Sequence, residues 1–270
     1  MPKIDLHTHS VFSDGTCSPE EVVRKALKTG VRIFALTDHD TTDGVAYAQK
    51  ICAEHDLLFT AGVEISTREH DHLHFTGYRL DLTNKEFQDF LAQNRQNRRN
   101  RICQIIRQLQ QAGVDITEED VFSRAPNTVS RAHVADTLKE KKLVSSRQEG
   151  FKKYLLPGCA GYVPSVGVTA VEAIRYIKKA GGLAVIAHPG MVSEIWNFPA
   201  WKEAGLDGME VFYPAHSGAL KQQLLALARK YDLFCTGGSD YHGPKGGRTT
   251  SPGMEIPKNH YNRIYQVLFD

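Results

Sequence analysis

Histidines and carboxylates occur in short motifs that are spread along the whole chain. The residues whose types could do chemistry together are His7, His9, His39, Glu64, His188, Asp240 and His242. Imidazole nitrogens mixed with carboxylate oxygens, without thiolates, suit borderline divalent metals such as Zn, Mn, Fe or Co. The set therefore predicts a metal site, and the donor types leave the identity of the metal open.

Two of these motifs place candidate ligands two residues apart, His7 with His9 and Asp240 with His242. Side chains at i and i+2 of an extended segment point to the same side, so each pair can hold one ion or two neighbouring ions. Glu64 can bridge two ions because a carboxylate has two oxygens. With more than four candidate ligands, a site with two or three ions is favoured over a site with one.

Each motif also has a purely structural explanation. His188 can cap a strand before Pro189, Asp38 and Asp40 can be turn residues, and Asp240 can cap a following turn. Singly these explanations are favoured, since an isolated His-x-His is a weak signal. Five such motifs at equivalent positions are difficult to explain as independent accidents, so jointly they favour the metal site.

The elements that must position these residues are strands alternating with helices, which predicts an α/β fold with a parallel sheet. The predicted strands cover residues 4–6, 31–36, 57–65, 74–78, 183–187, 208–212 and 233–236. Ser18 and Glu21 predict a capping box at the start of the first helix. The candidate ligands follow strand ends, and the carboxyl ends of parallel barrel strands meet on one face, where barrel enzymes build active sites. We therefore expect one shared pocket.

Residues 85–155 show helical patterns without intervening strands, at 86–111, 117–123, 130–142 and 147–154. We interpret them as a helical insertion that forms a substrate cap, with residues 1–84 and 156–270 making the barrel. The insertion carries a basic run, Arg95, Arg98, Arg99 and Arg101. Most such runs are solvated helix faces, and the alternative is a surface that steers polyanions toward a cleft.

Composition sets the outer limits. The chain has 270 residues, 41% of them hydrophobic, and a net charge of +2, which gives no long-range field that would select nucleic acid or a membrane. Its five cysteines are odd in number and form no C-x-x-C pair, which argues against a disulfide framework and a thiolate zinc site. Without a leader peptide or a spanning apolar segment, we expect a cytoplasmic protein.

Five motifs, in order, resemble those of the PHP (polymerase and histidinol phosphatase) superfamily. They are Asp5-Leu6-His7-Thr8-His9-Ser10, Thr37-Asp38-His39-Asp40, Gly62-Val63-Glu64, Ala187-His188-Pro189 and Gly238-Ser239-Asp240-Tyr241-His242. Ser130-Arg131-Ala132-His133, together with Lys153-Tyr154-Leu155-Leu156-Pro157-Gly158 and Gly161-Tyr162-Val163, resembles the stand-alone bacterial phosphoesterases that hydrolyse nucleoside 3′,5′-bisphosphates and trim short RNA from the 5′ end. The resemblance implies a distorted (βα)7 barrel, TIM-like, with a trinuclear metal centre.

The resemblance also implies a set of metal ligands, with Glu64 as the bridging carboxylate. Carried over position by position, they are His7, His9, Asp14, His39, Glu64, His74, His188, Asp240 and His242. One position is ambiguous, because His70, His72 and His74 lie close together. We choose His74 because the following Phe-Thr-Gly-Tyr resembles the family's strand end, and we expect His70 and His72 to be exposed turn residues.

Three further residues are candidates for substrate binding and catalysis. A guanidinium can clamp phosphate with two parallel hydrogen bonds, and Arg131 is the candidate that the family resemblance supports. His133 could contact the same phosphate or a second one, although i and i+2 do not share a helix face. His216 follows a predicted strand end and could protonate the leaving oxygen, with a structural histidine as the equal alternative.

The expected function is hydrolysis of phosphomonoesters by metal-activated water, with two or three divalent ions (Mn, Fe or Zn) as cofactors. The expected substrate is a nucleoside 3′,5′-bisphosphate that loses its 3′-phosphate, with 5′-to-3′ action on short RNA as an extension. One alternative is a histidinol-phosphate-type or general sugar-phosphate phosphatase. Another is a binding module with a vestigial PHP barrel, although all nine ligand positions are filled. No membrane or obligate protein partner is expected.

Overall fold

Seven strands of one twisted sheet form a barrel in the computed structural model, which describes residues 1–125, 127–244, 246 and 249–270. The sheet order is β7-β6-β5-β4-β3-β2-β1-β8. The strands are β1 (Lys3–Asp5), β2 (Val31–Leu36), β3 (Leu58–Ser66), β4 (His74–Tyr78), β5 (Leu183–Ile186), β6 (Leu206–Phe212), β7 (Phe234–Gly237) and β8 (Met254–Glu255). The predicted TIM-like α/β barrel is confirmed.

The first and seventh strands meet along the seam of the barrel. The N–H of Leu6, directly after β1, donates to the carbonyl of Gly237 at the end of β7, at 3.1 Å. Two residues further on, Thr8 and Tyr241 form a parallel bridge. Because these contacts join residue 6 to residue 237, the motifs from the two ends of the sequence lie side by side.

One strand runs against the direction that we expected. β4 pairs antiparallel with both β3 and β5, whereas the other pairings within the barrel are parallel. The cause is the connection, since only residues 67–73 separate β3 from β4 and a parallel crossover needs a dozen residues or more. The prediction of a fully parallel sheet is therefore wrong at β4, and His74 begins its strand at the same barrel end where its neighbours finish.

Helices surround the barrel and build the insertion. They are α1 (Pro19–Lys28), α2 (Val45–Glu54), α3 (Lys85–Gln111), α4 (Glu118–Phe122), α5 (Arg131–Glu140), α6 (Arg147–Gly150), α7 (Ala170–Lys179), α8 (Phe198–Ala204), α9 (Gly218–Lys230) and α10 (Lys258–Phe269). The capping box of α1 is present: Glu21 N–H donates to Ser18 Oγ at 3.2 Å, and Ser18 N–H donates to the Glu21 carboxylate at 2.8 Å. The sequence patterns did not identify α8, α10 or β8.

The insertion has a hydrophobic core of its own. The first half of α3 packs into the barrel core through Phe87 and Leu91, and its second half contributes Ile105 and Leu109 to a separate cluster with residues of the insertion. A single long helix therefore ties the two cores together. The domain boundaries at residues 85 and 155 stay a prediction.

Within the part of the chain that the structure describes, no helix is long and apolar enough to cross a membrane.

Candidate metal centre

Glu64 lies at the centre of a ring of imidazoles on the floor of the barrel mouth. Its carboxylate is buried, and five histidine nitrogens lie within 3.2 Å of its two oxygens. The shortest approaches are 2.8 Å to His74 Nδ1 and 2.9 Å to His188 Nε2. His7, His9 and His39 complete the ring. Glu64 lies on β3. His7 and His9 follow the end of β1, and the other three histidines come from the end of β2, the start of β4 and the end of β5.

Two further carboxylates extend this cluster toward the seam of the barrel. His242 Nε2 lies 3.2 Å from Asp14 Oδ1, and His242 Nδ1 lies 3.3 Å from Asp240 Oδ1. His9 Nε2 also lies 3.3 Å from Asp240 Oδ1. The seam hydrogen bonds produce these contacts, because they bring the segment after β7 beside the segment after β1.

The structure brings together all nine side chains that the sequence nominated as ligands. They form four groups, in each of which one donor atom per residue lies within 4.8 Å of the others: His9, Asp14, His39 and His242; His7, His9 and Asp240; His7, Glu64 and His188; and His39, Glu64 and His74. Neighbouring groups share one residue, so the four groups close into a ring. A set of buried N and O donors at this spacing is suited to divalent metal ions.

The hydrogen bonding of these residues fits bound cations. Buried polar atoms in proteins are nearly always hydrogen-bonded. Here several buried ligand atoms form no hydrogen bond of good geometry among the described residues, although all but the fourth have an oppositely charged partner at 3.1–3.2 Å: His7 Nε2, His9 Nε2, His39 Nδ1, His188 Nδ1 and Asp14 Oδ1. All five residues belong to the four groups. Metal coordination would satisfy them all and would compensate for burying so many polar atoms together.

The backbone at the strand ends is strained where the ligands are placed. Asp40, His188 and Asp240 adopt the left-handed conformation, with φ of 52°, 31° and 52°. This region is costly for residues other than glycine, and such strain is concentrated at functional sites. It turns the chain sharply after β2, β5 and β7, and so directs the neighbouring side chains into the barrel mouth.

Glu210 is a partner of the ligands that the sequence analysis missed. Its carboxylate lies 3.2 Å from His7 Nδ1 and accepts the backbone N–H of His188 at 2.7 Å. Because Nδ1 donates to this carboxylate, Nε2 of His7 is left as the metal-facing nitrogen. Burial lowers the pKa of His7, but the carboxylates of Glu64 and Glu210 outweigh it and raise the pKa to about 10. The signal in the sequence is an acid in the middle of the apolar run Met209-Glu210-Val211-Phe212 of β6.

Two other buried aspartates hold the ligand loops in place. Asp38 accepts hydrogen bonds from the backbone and hydroxyl of Ser10, at 2.7 and 2.6 Å, and from the hydroxyl of Ser13 at 2.6 Å. Asp5 accepts the N–H and hydroxyl of Ser239, at 2.9 and 2.6 Å. Burial raises the pKa of Asp5 to about 6, despite these hydrogen bonds. Both aspartates therefore tie a ligand-bearing loop to another strand.

The three histidines of the β3–β4 connection have different surroundings. His74 is buried against Glu64, whereas His70 is partly exposed and lies 3.8 Å from the carboxylate of Glu194. His72 is partly exposed and lines the cleft above the cluster. The position chosen from the sequence is thus the one that lies in the ring of imidazoles.

A cleft of about 1270 Å³ opens above the cluster, between the barrel and the insertion. Arg131, the first residue of α5, lies in its wall, and Nη1 donates to Asp71 Oδ2 at 2.8 Å. Among the described residues this is the only hydrogen bond from that guanidinium, so its other N–H groups remain for a ligand. Asp71 also accepts from Arg101 Nη2 at 2.6 Å, and thus links the β3–β4 connection to two helices of the insertion.

The basic run on α3 is not a solvated face. Arg98 Nε donates to Asp40 Oδ2 at 2.5 Å, and Arg95 donates to the carbonyl of Asp40 at 3.0 Å. Arg101 bonds Asp71, and Arg99 stacks on Phe122 with its Cζ 3.8 Å from the ring centre. Arg98 and Arg101 line the cleft. The run therefore attaches α3 to the barrel and gives the cleft a basic wall.

His133 and His216 are both buried and hydrogen-bonded to backbone. His133 Nδ1 accepts the N–H of Ser130 at 3.0 Å and completes the cap of α5. His216 Nδ1 lies 3.0 Å from the carbonyl of Val211, and its Nε2 accepts the N–H of Gly190 at 3.2 Å. With both nitrogens of His216 engaged, its role as a proton donor stays a prediction, and these contacts favour a positioning role for the loop after His188.

Comparison with known proteins shows similarity to phosphoesterases over most of the chain. Residues 5–160 match the PHP domain. The Escherichia coli 5′-3′ exoribonuclease Rnm is 38% identical over 89% of this chain and 85% of its own length. The 3′,5′-nucleoside bisphosphate phosphatase of Chromobacterium violaceum is 34% identical, over 95% and 93%. The structure of a predicted metal-dependent phosphoesterase from Bifidobacterium adolescentis aligns with a TM-score of 0.89 and 30% identity, over 98% and 96%.

Proposed function

This chain belongs to the PHP domain family and is a metal-dependent phosphoesterase, and we propose that it removes the 3′-phosphate from nucleoside 3′,5′-bisphosphates. The observation that carries the proposal is the position of the imidazole ring around Glu64 on the floor of a cleft whose wall presents Arg131. A scissile phosphate at the cluster and a second phosphate at the wall would match a substrate with two phosphates. The C. violaceum relative, named for this activity, supports the choice.

The nine clustered side chains would hold two or three divalent ions, which are Mn, Fe or Zn. The number of ions is expected to be smaller than four, the number of groups. The groups share residues, since each of four side chains belongs to two of them: His7, His9, His39 and Glu64. When bound, such ions supply positive charge for the phosphoryl oxygens and lower the pKa of water toward neutrality. Glu64 would be suited to bridge two of them, because one of its oxygens lies beside His74 and His188 and the other beside His7, His9 and His39.

The protein's own groups orient the substrate and hold the protons in place. Glu210 and the main-chain carbonyl of Asp240 fix the tautomers of His7 and His242 through their Nδ1 atoms, so that each Nε2 lone pair points into the cluster. Arg131 donates to the phosphate that is not cleaved, or to the equatorial oxygens of the one that is, through the N–H groups that Asp71 leaves free. His133 supports the start of α5 and so the position of Arg131.

The cleft also suits a longer substrate. Its volume of about 1270 Å³ exceeds the roughly 300–1,000 Å³ of most small-molecule sites, and its wall is basic. Short RNA, shortened from the 5′ end, is therefore the second substrate class, as the name of the E. coli relative suggests. Both classes need hydrolysis of a phosphoester next to a ribose.

The direct test is an assay of the Mn-loaded protein with adenosine 3′,5′-bisphosphate, with AMP and inorganic phosphate as expected products. A 5′-phosphorylated oligoribonucleotide and histidinol phosphate are assayed in parallel. Arg131→Lys keeps the charge but loses the two parallel N–H donors of the guanidinium. It should lower kcat/KM for the bisphosphate about tenfold or more. Turnover of histidinol phosphate or another sugar phosphate, without turnover of the bisphosphate, would contradict the substrate assignment.

A cytoplasmic location completes the proposal. All five cysteines, Cys17, Cys52, Cys103, Cys159 and Cys235, are free, which is the state that a reducing compartment maintains. No obligate protein partner is needed for the site, since one chain supplies all nine candidate ligands.

A further inference from the structure

We infer that the ring of Phe151 is the stacking platform for the base of the nucleotide, an inference that rests on the proposed function. Phe151 lies in the insertion, lines the cleft and is half-buried. Its ring centre is 5.6 Å from Cζ of Arg131. A phosphate held by that arginine would therefore place the rest of its nucleotide within reach of the ring.

The local fold puts Phe151 in this position. Gly150, the last residue of α6, lies so close to α5 that a Cβ would be 3.1 Å from the Cβ of Ala135. The absence of a side chain lets α6 approach the helix that begins with Arg131. Directly after it, the chain widens into a π-helix over Phe151–Leu155. Such turns are rare and frequently occur at functional sites.

The hydrophobic core of the insertion does not use the whole ring. Phe151 packs against that core on one side while its remaining surface lines the cleft. Leu156 lines the cleft too and is 39% exposed, so an apolar strip continues beside the ring. Exposed apolar surface beside the arginines of the cleft suits a ligand with a negatively charged end and a flat aromatic end.

A nucleobase meets this requirement, whereas a plain sugar phosphate does not. Bases stack on aromatic side chains with little dependence on sequence, because each base has a π-face. The cleft also has room for a base beyond the phosphate, at about 1270 Å³. Phe151 would thus make the site select nucleotides over sugar phosphates that carry the same two phosphate groups.

The test compares adenosine 3′,5′-bisphosphate with 1-deoxyribose 3,5-bisphosphate, which lacks only the base. The metal-loaded wild type should prefer the nucleotide in kcat/KM. Phe151→Leu, which keeps an apolar side chain but loses the flat ring, should reduce that preference roughly tenfold, mainly through KM, and Phe151→Trp should retain it. Phe151→Leu should lower kcat/KM for the abasic compound much less than for the nucleotide.

Phe122→Leu is the matched control. Phe122 also packs against the insertion core and lies under an arginine, but it lines a separate small pocket beside α3 and not the cleft. An unchanged preference in Phe151→Leu, or an equal loss in Phe122→Leu, would overturn the inference. If the wild type hydrolyses neither compound, the proposed function fails, and the inference is then tested by calorimetric binding of AMP. Phe151→Leu should bind AMP at least about fivefold more weakly than Phe122→Leu does. Equal affinities of the two variants would refute the inference.

Discussion

Asp71 joins two arginines of the insertion to the barrel through a single carboxylate. Its oxygens lie 2.6 Å from Arg101 and 2.8 Å from Arg131. Burial alone would raise the pKa of Asp71, but Arg131 and Arg101 outweigh it and hold the pKa below its usual value of 3.8. A carboxyl with a lowered pKa stabilises the fold above its unfolded pKa and loses that contribution as the pH falls through the folded value.

We therefore predict that Asp71→Asn lowers the free energy of unfolding at pH 7 by about 1–3 kcal/mol, since two charged donors lose their counter-charge. The difference between wild type and variant, measured by urea denaturation, should shrink below pH 3.8. The variant should also raise KM for the bisphosphate, because Arg131 loses its orienting contact. Asp89→Asn removes an exposed ion pair with Lys85 and should cost under about 0.5 kcal/mol at either pH. A pH-independent effect of Asp71→Asn would contradict the ion-pair explanation.

Site residues could be predicted from the sequence where a ligand-type side chain followed a predicted strand. His7, His188 and His242 follow strands in recognisable motifs, and they lie in the cluster. Glu210 and Asp71 were missed, because an acid in a strand or a turn looks the same in the sequence whether it orients a ligand or is exposed to solvent. Their partners are about 200 and 60 residues away, and only the folded chain brings them together.

Two helix caps allow an effect on stability to be distinguished from an effect on activity. Ser18 and Ser130 each cap a helix, and only Ser130 also donates from its hydroxyl to a candidate metal ligand, Asp14 Oδ2, at 3.1 Å. We predict that Ser18→Ala and Ser130→Ala each lower stability by about 1 kcal/mol, measured by thermal or urea unfolding. Only Ser130→Ala should also lower kcat/KM, since it disturbs both Asp14 and the start of α5. Equal activity of the two variants would argue against this coupling.

Strand and helix positions followed closely from hydrophobic patterns and caps, whereas strand direction did not. The patterns located β4 at residues 74–78 and said nothing about its orientation, which the short 67–73 connection determines. The reversal matters for the site, because His74 opens its strand and still reaches the same barrel end as Glu64. The helix α10 was missed because it begins after Pro257 without a side-chain cap. The helix α8 is capped by Asn197 and ends at Gly205, but at seven residues it is too short to show a hydrophobic period.

For the whole molecule, stability depends on whether the cluster is filled. Without ions, the buried nitrogens of His7, His9, His39 and His188 form no hydrogen bond of good geometry among the described residues of the barrel mouth. A ligand present at about a hundred times its dissociation constant stabilises a fold by about 2.7 kcal/mol. Chelation should therefore lower the melting temperature by roughly 5 °C or more, and added Mn should restore it.

Glu64→Gln tests the origin of this shift. The variant keeps the shape of the side chain but loses its charge, so it should retain less metal by elemental analysis and show little change of melting temperature on chelation. Its activity should fall by about 100-fold or more. Glu54→Gln, an exposed change on α2, should behave as the wild type. A wild-type melting temperature that does not respond to chelation would argue against a structural contribution of the ions.

The seam between β1 and β7 has a consequence for how the protein is made. Leu6 is synthesised well before Gly237, its hydrogen-bond partner. The two can pair only after the segment between them has been translated. Until then the segment with His7 and His9 has neither its neighbouring strand nor Asp240 and His242. A prematurely terminated product would thus contain most of the ligand motifs and still lack a complete pocket.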